Sequence, residues 1–175
     1  MKKKQKVDMA IALCLILIGI ILLIIPLFKI NNIKYLNTFI FALYTILNAL
    51  QFLFTKESKD YESLHSAIAS LIILIANMFI DTNNNPQKLA MLLMTWIILM
   101  SLAKLKKMDY YHDRKDRMWK LRAFNLGLFI LSGFLASIHL SYSVEVKTIV
   151  IGFFMLIHGI LELFDPITKI LLTHD

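Results

Sequence analysis

Six long apolar segments dominate this sequence and restrict what the chain can fold into. They cover residues 9–28, 35–54, 62–80, 88–105, 123–142 and 144–164. A membrane-spanning helix needs about 20 such residues, because it crosses about 30 Å of hydrocarbon at 1.5 Å per residue. The segments are continuously apolar and do not alternate, which favours helices over barrel strands. The sequence therefore predicts an all-α polytopic membrane bundle of about six transmembrane helices, forming a single domain over residues 1–175.

The composition supports a membrane location. The chain is 58% hydrophobic, whereas soluble domains are about 45–50% apolar. One soluble core could not bury this excess, but lipid-facing side chains need no polar cover. The net charge of +7 comes from basic residues between the apolar segments, so it indicates membrane topology. We therefore expect the bilayer with its anionic headgroups as a partner, and no nucleic acid.

The basic residues also predict the orientation. Fifteen of the 19 lysines and arginines lie on the same side of the predicted spans as the amino terminus. The positive-inside rule then predicts that both termini are cytoplasmic. The basic connection 104–122 holds eight of the fifteen and is either a solvated loop or a surface for lipid headgroups. Its candidate headgroup contacts are Lys104, Lys106, Lys107, Arg114, Arg117, Trp119 and Arg122.

Glycine, proline and asparagine predict where helices begin and end. The segment DTNNNP at 81–86 favours a tight turn between the third and fourth spans. The connection 104–122 contains no glycine or proline, so we expect the fourth helix to continue past its apolar segment. Asp165 and Pro166 suit the cap and first position of a helix, which predicts a short separate helix after the sixth span.

A weak internal repeat divides the chain into three helical hairpins, near 1–58, 59–107 and 118–175. Gly19, Ala69 and Gly133 occupy one position in the odd-numbered spans. The even-numbered spans align at offsets of 52 and 110 from the second span, and Asn48 then matches His158. Small residues at one helical position let membrane helices approach closely. The same faces could pack subunits, so a homo-oligomer is possible.

Four polar side chains within the spans are candidates for an intramembrane site, because such groups are unfavourable in lipid. His158 and Glu162 are four residues apart and share a helix face, as do Asn48 and Gln51. The pair on the sixth span could relay protons or supply half of a metal site. The alternatives are an interfacial polar contact for that pair and helix-linking hydrogen bonds for Asn48 and Gln51.

The sequence contains none of the motifs that identify common enzymes. There is no G-x-x-x-x-G-K, G-x-S-x-G or H-E-x-x-H pattern and no paired cysteines,. Two ligands are also too few for a closed metal site. We therefore predict a protein without enzymatic activity, with no catalytic residues, no bound metal and no cofactor.

Three segments carry a resemblance to a known family. They are LILIGIILLIIPL at 15–27, GFFMLIHGILELF at 152–164, and Trp119 leading into NLGLFILSGF at 125–134. Together with the three hairpins they resemble the HdeD-like family of bacterial acid-resistance membrane proteins. In the middle hairpin Ala69, Ala76 and Ser101 stand where glycine is usual. The resemblance implies a six-span stress protein of the bacterial cytoplasmic membrane, whose mechanism is unknown.

Two other functions fit the same sequence. A solute-binding membrane subunit of a vitamin-type importer has a similar size and number of spans, and Asn48, Gln51 and His158 could line its pocket. A small transporter or channel could instead use His158 and Glu162.

Overall fold

The computed structural model of the chain describes residues 3–28, 33–55, 61–82, 84–113, 118–138 and 144–172. These residues form six α-helices and no strand. All six helices are long and apolar enough to cross a membrane, so the predicted all-α bundle is confirmed and the chain is a multi-pass membrane protein. The helices are α1 (Lys3–Ile24), α2 (Ile33–Thr55), α3 (Glu62–Phe79), α4 (Pro86–Asp113), α5 (Met118–Ile138) and α6 (Val144–Leu172).

The turn between α3 and α4 has the side-chain contacts that its sequence predicts. The Asp81 carboxylate accepts hydrogen bonds from the backbone and side-chain nitrogens of Asn84, at 3.4 and 2.9 Å. Asn85 Oδ1 accepts one from the Lys88 backbone nitrogen at 3.2 Å. Asn85 thus caps α4, and Pro86 occupies the first helical position, where its missing N–H removes no helical bond. From there α4 continues to Asp113, beyond its apolar segment, as expected.

The end of α6 differs from the sequence-based expectation. No separate helix begins at Asp165, because α6 continues without a break to Leu172 and contains Pro166. Proline inside a helix removes one backbone hydrogen bond and its ring crowds the carbonyl four residues earlier, yet α6 stays helical through Pro166. The Asp165 side chain, which was expected to cap a new helix, instead contacts Arg122 on α5.

The six helices form a closed ring. Each helix packs against its neighbour in the sequence, and α1 packs against α6 to close the ring. The most extensive contacts join α1 to α6, α2 to α3 and α4 to α5, whereas helices within one predicted hairpin touch less. Close and loose contacts therefore alternate, which is the arrangement expected of three repeats placed around a ring. Helices α5 and α6 are among the neighbours in contact.

Glycines explain why α1 and α6 pack so closely. A Cβ atom added to Gly19 would lie 2.6 Å from the backbone nitrogen of Leu156, and one added to Gly159 would lie 2.7 Å from that of Ile16. Real Cβ atoms do not approach backbone atoms so closely. The two helices therefore meet backbone to backbone, as small residues allow in membranes.

Three aromatic residues at equivalent repeat positions meet in the centre of the ring. Tyr44 on α2 matches Trp96 on α4 and Phe154 on α6, at the offsets of 52 and 110 found in the sequence. All three are buried, and Trp96 is 0% exposed. The Trp96 ring lies 5.2 Å from Tyr44 and 5.7 Å from Phe154, both edge to face. The even-numbered helices thus supply the core with matching faces.

Candidate functional site

A group of six charged side chains lies inside the bundle at one end, where α1, α3 and α5 begin and α2, α4 and α6 end. We call it the Glu62 network. Its members come from four helices, and three are acidic and three basic. The spacing within α4 and within α6 places two members one helical turn apart on the inward face. The members are Glu62 on α3, Lys104 and Lys107 on α4, Arg122 on α5, and Glu162 and Asp165 on α6.

Each acidic side chain of the network contacts a basic one directly. Lys107 pairs with Glu62, Lys104 with Glu162, and Arg122 with Asp165. Glu62 has two further cations nearby, since Lys104 Nζ lies 3.7 Å from Oε1 and Arg122 Nη1 lies 3.8 Å from Oε2. Glu62 therefore lies at the centre and links α3 to both α4 and α5.

The charges of the network are largely removed from water. The side chain of Arg122 is 8% exposed and that of Glu62 is 12% exposed. Charges in such surroundings are tolerated only when they are paired. The equal number of acids and bases satisfies this condition, and each pair joins two different helices. The network consequently holds the ends of α3, α4, α5 and α6 together.

His158 joins this network to the aromatic centre of the bundle. Its Nε2 is hydrogen-bonded to the Tyr44 hydroxyl at 2.7 Å, and its Nδ1 lies 4.0 Å from Glu162 Oε1. The ring is completely buried and stacks on Phe154, with 6.3 Å between ring centres. His158 and Glu162 are therefore together, as their spacing predicts, and a polar chain runs from Tyr44 through both to Lys104.

Asn48 and Gln51 make hydrogen bonds at the same end of the bundle. Asn48 Nδ2 donates to the backbone carbonyl of Tyr44, one turn earlier on α2, at 2.8 Å. Gln51 Nε2 donates to Asp8 Oδ1 at 2.7 Å and so links α2 to α1. Gln51 therefore makes the helix-linking bond that its sequence position suggested, while the amide nitrogen of Asn48 bonds within its own helix.

Two small cavities border the Glu62 network. One has a volume of about 30 Å³ and is bordered by His158 and Asn125, and the other has about 20 Å³ and is bordered by Asn48 and Gln51. Glu62 and Glu162 border both cavities. A volume of this size suits a single water molecule, which needs two to four polar partners.

The larger of the two cavities has polar atoms around it that could bind such a water molecule. Within the part of the chain that the structure describes, four of these buried atoms have no hydrogen-bond partner. They are Arg122 Nε, Asn125 Oδ1, His158 Nδ1 and Asp165 Oδ1. Buried polar atoms are normally satisfied by protein or by ordered water. The chemistry of this cavity therefore fits water or a proton path through it. Among the described residues, no group of three or more His, Cys, Asp or Glu is placed to hold a metal ion.

The candidate headgroup contacts separate into two sets. Lys104, Lys107 and Arg122 turn inward to the Glu62 network and are not at the outer surface. Lys106 is exposed, and Trp119 is half-buried beside the ring of His112. Arg114 and Arg117 lie outside the described residues.

Four of the six members of the Glu62 network were candidates from the sequence, three of them as headgroup contacts, and two were missed. Glu62 and Asp165 were not among the candidates, because each stands at the end of an apolar segment, where a charged residue is unremarkable. A usable signal exists in the spacing. Lys104 and Lys107 near the end of α4 are three residues apart, and so are Glu162 and Asp165 near the end of α6. Matching pairs of opposite charge at the same end of two spans predict an ion-pair network.

Comparison of the chain with protein-family models, with curated proteins and with solved structures finds no match. The fold and the site therefore define a class and not a family. The class is a multi-pass membrane protein whose described residues form a closed ring of six helices, with a buried network of three acidic and three basic side chains at one end.

Proposed function

We propose that this chain is a non-enzymatic protein of the bacterial cytoplasmic membrane that serves tolerance of acid or envelope stress. The proposal follows the resemblance to the HdeD-like family, which rests on a threefold repeat. The observation that carries it is the meeting of Tyr44, Trp96 and Phe154, at equivalent repeat positions, in the centre of a closed ring. This placement agrees with the repeat from which the resemblance was drawn.

The packing around the candidate site supports a role for the folded bundle itself over the binding of a solute. The cavities bordered by Asn48, Gln51 and His158 measure about 20 and 30 Å³. Pockets for small organic ligands are about 300–1,000 Å³. A vitamin-sized solute bound beside Asn48, Gln51 and His158 would therefore require the helices to separate at the Glu62 network, which would break buried ion pairs.

A survival experiment tests the proposed role. The gene is deleted in its host, and the survival of the deletion strain is counted after acid challenge and after growth at neutral pH. We expect the deletion to lower survival only after acid challenge, and the wild-type gene supplied on a plasmid to restore it. Equal survival of the deletion and parent strains after acid challenge would contradict the proposal.

A small transporter or channel is the second candidate, and one observation favours it. The polar chain from Tyr44 through His158 to Glu162 borders both water-sized cavities, so it has the parts of a proton path. Proton flux into proteoliposomes measures this activity. The double variant His158→Ala, Glu162→Gln should abolish the flux if the pair carries protons, and unchanged flux would remove the pair from consideration.

We also propose that both termini are cytoplasmic, which would place the Glu62 network on the cytoplasmic side. The distribution of lysine and arginine supports this orientation. A homo-oligomer remains a prediction from the small-residue faces.

A further inference from the structure

An apolar groove runs along the outside of the bundle between α3 and α4, and we call it the α3/α4 groove. Its volume is about 380 Å³. Ala69 and Ala103 are buried in its lining, and their small side chains leave space between the helices. Larger apolar side chains that are about half exposed also line it, namely Ile68, Ile72 and Leu102. The groove therefore has the shape and chemistry to hold a hydrocarbon chain.

One end of the α3/α4 groove is basic. Lys106 and His65 line that end, and both are exposed. Lys106 differs from its neighbours on α4, since Lys104 and Lys107 turn inward to carboxylates. Among the described residues, no carboxylate pairs with Lys106. The Nδ1 of His65 donates to the backbone carbonyl of Tyr61 at 2.6 Å, so Nε2 of the neutral ring is an acceptor and the charged donor at this end is Lys106.

The α3/α4 groove is long enough to cover about two-thirds of one leaflet of a bilayer. His65 and Ile72 are seven residues apart on α3, and Leu99 and Lys106 are seven apart on α4. Seven residues of helix cover about 10 Å, and one leaflet contributes about 15 Å of hydrocarbon. The groove thus runs from the basic end, at the depth of the network, toward the middle of the membrane.

A second groove on the other side of α4 provides an internal comparison. It lies between α4 and α5, has a volume of about 310 Å³, and includes Ile97, Ile130 and Phe134 in its lining. Within the described part of the chain, no charged side chain lines this α4/α5 groove. The two grooves are therefore similar in size and apolar character, and they differ in the basic end.

We propose that the α3/α4 groove is a binding site for an anionic phospholipid. An acyl chain lies along Ala69 and Ala103, and the phosphate lies at Lys106, beside His65. Lysine binds phosphate through a charge-assisted hydrogen bond, and its flexible stem can reach the headgroup while lying on apolar surface. The α4/α5 groove takes acyl chains without regard to the headgroup. This proposal is independent of the stress role, because it depends only on the protein being in a bilayer.

Tryptophan reporters in the two grooves test this proposal. Ile72→Trp reports on the α3/α4 groove and Ile130→Trp on the α4/α5 groove, each in the Trp119→Phe background, while Trp96 is fully buried and gives a constant signal. The protein is placed in vesicles of phosphatidylcholine that contain either phosphatidylglycerol or phosphatidylcholine with brominated acyl chains. Quenching then gives the relative binding constant at each reporter.

We expect brominated phosphatidylglycerol to bind about fivefold more tightly than brominated phosphatidylcholine at the Ile72 reporter. One lysine near the headgroups accounts for a preference of that order. No preference is expected at the Ile130 reporter. Lys106→Gln should remove the preference at Ile72. Lys120→Gln removes the same charge from an exposed position on α5 and should leave the preference unchanged.

Two results would overturn the proposal. An equal preference at both reporters would mean that the grooves hold only the lipids that surround any membrane protein. An unchanged preference in the Lys106→Gln variant would mean that this side chain does not bind the headgroup. Because Lys106 is exposed, its replacement leaves the helix packing intact, and circular dichroism of each variant verifies the fold.

Discussion

Glu62 is the residue on which the candidate site depends most. It contacts Lys107 directly and lies within 3.8 Å of Lys104 and Arg122. A buried cation without its partner is strongly destabilising, because it has lost its hydration and no opposite charge compensates for that loss. The three basic side chains all lie close to the Glu62 carboxylate, so its negative charge stabilises all three positive charges. Residues on three helices are thus linked through a single side chain.

The variant Glu62→Gln tests this central role. The amide keeps the size of the side chain but removes its charge, so the ion pair between Glu62 and Lys107 is lost. We expect the free energy of unfolding to fall by about 2 kcal/mol, the order of a hydrogen bond to a charged group. Unfolding is measured by titrating sodium dodecyl sulfate into the protein in a mild detergent and following the helical circular dichroism.

Asp109→Asn is the matched control for that variant. Asp109 also carries a carboxylate near this end of the bundle, but its side chain is exposed. Surface substitutions usually change stability by less than about 0.5 kcal/mol. If Glu62→Gln and Asp109→Asn have the same small effect, the Glu62 network does not stabilise the bundle.

At the residue scale, the sequence predicts local neighbours better than distant ones. The pairing of His158 with Glu162 follows from their spacing on one helix, and it is present. The partner of Glu162 on another helix, Lys104, was expected to contact lipid headgroups, because a sequence does not give the rotation of a helix about its axis. Basic residues at the end of a span can turn inward or outward. Lys104 turns inward to Glu162, and Lys106 is exposed.

At the scale of the helices, glycine decides which pairs pack closely. Gly159 allows α6 to contact the backbone of α1, whereas Gly127 on α5 has no atom within 4 Å of the position of an added Cβ. The two glycines look alike in the sequence, since both lie within apolar segments. Only the structure shows that one is required for helix packing and the other is not.

Alanine at each of these glycines should have opposite effects. Gly159→Ala places a methyl group against the Ile16 backbone, so we expect a loss of about 2 kcal/mol from overpacking. Gly127→Ala meets nothing and gains helix propensity, so we expect no loss and a gain of up to about 1 kcal/mol. The same detergent titration measures both, and equal effects of the two substitutions would contradict the close α1–α6 contact.

Helix ends were predicted with mixed success, for physical reasons. Asn85 and Pro86 begin α4 as their residue types predict, because capping is local chemistry. Pro166 does not begin a helix, because α6 runs through it and the preceding Asp165 pairs with Arg122 on α5 and does not cap a new helix. Tertiary contacts of this kind are absent from any local pattern.

At the scale of the whole molecule, the sequence predicts the number of helices but not their arrangement. Six apolar segments are enough to predict six helices, and a repeat predicts that matching faces exist. The apolar segments do not predict that α1 packs against α6, because these two helices are far apart in the sequence. The glycines of α1 and α6 allow this contact, but a glycine in the sequence does not identify which helix will pack against it.

The orientation of the whole bundle is a separate prediction. A reporter that is active only in the cytoplasm should be inactive when inserted into the turn at 81–85 and active when fused to the carboxy terminus. The reason is the excess of lysine and arginine on the side of the termini. Activity at the turn, with no activity at the carboxy terminus, would reverse the orientation and place the Glu62 network outside the cytoplasm.

Native mass spectrometry of the protein, gently extracted from its own host, tests the proposed function most directly against the solute-binding alternative. Since the cavities beside Asn48 and His158 are no larger than about 30 Å³, we expect only phospholipids and copies of the chain itself to remain bound. A small molecule bound in a fixed ratio, or a co-purified ATP-driven partner, would contradict this and identify a solute-binding subunit of an importer.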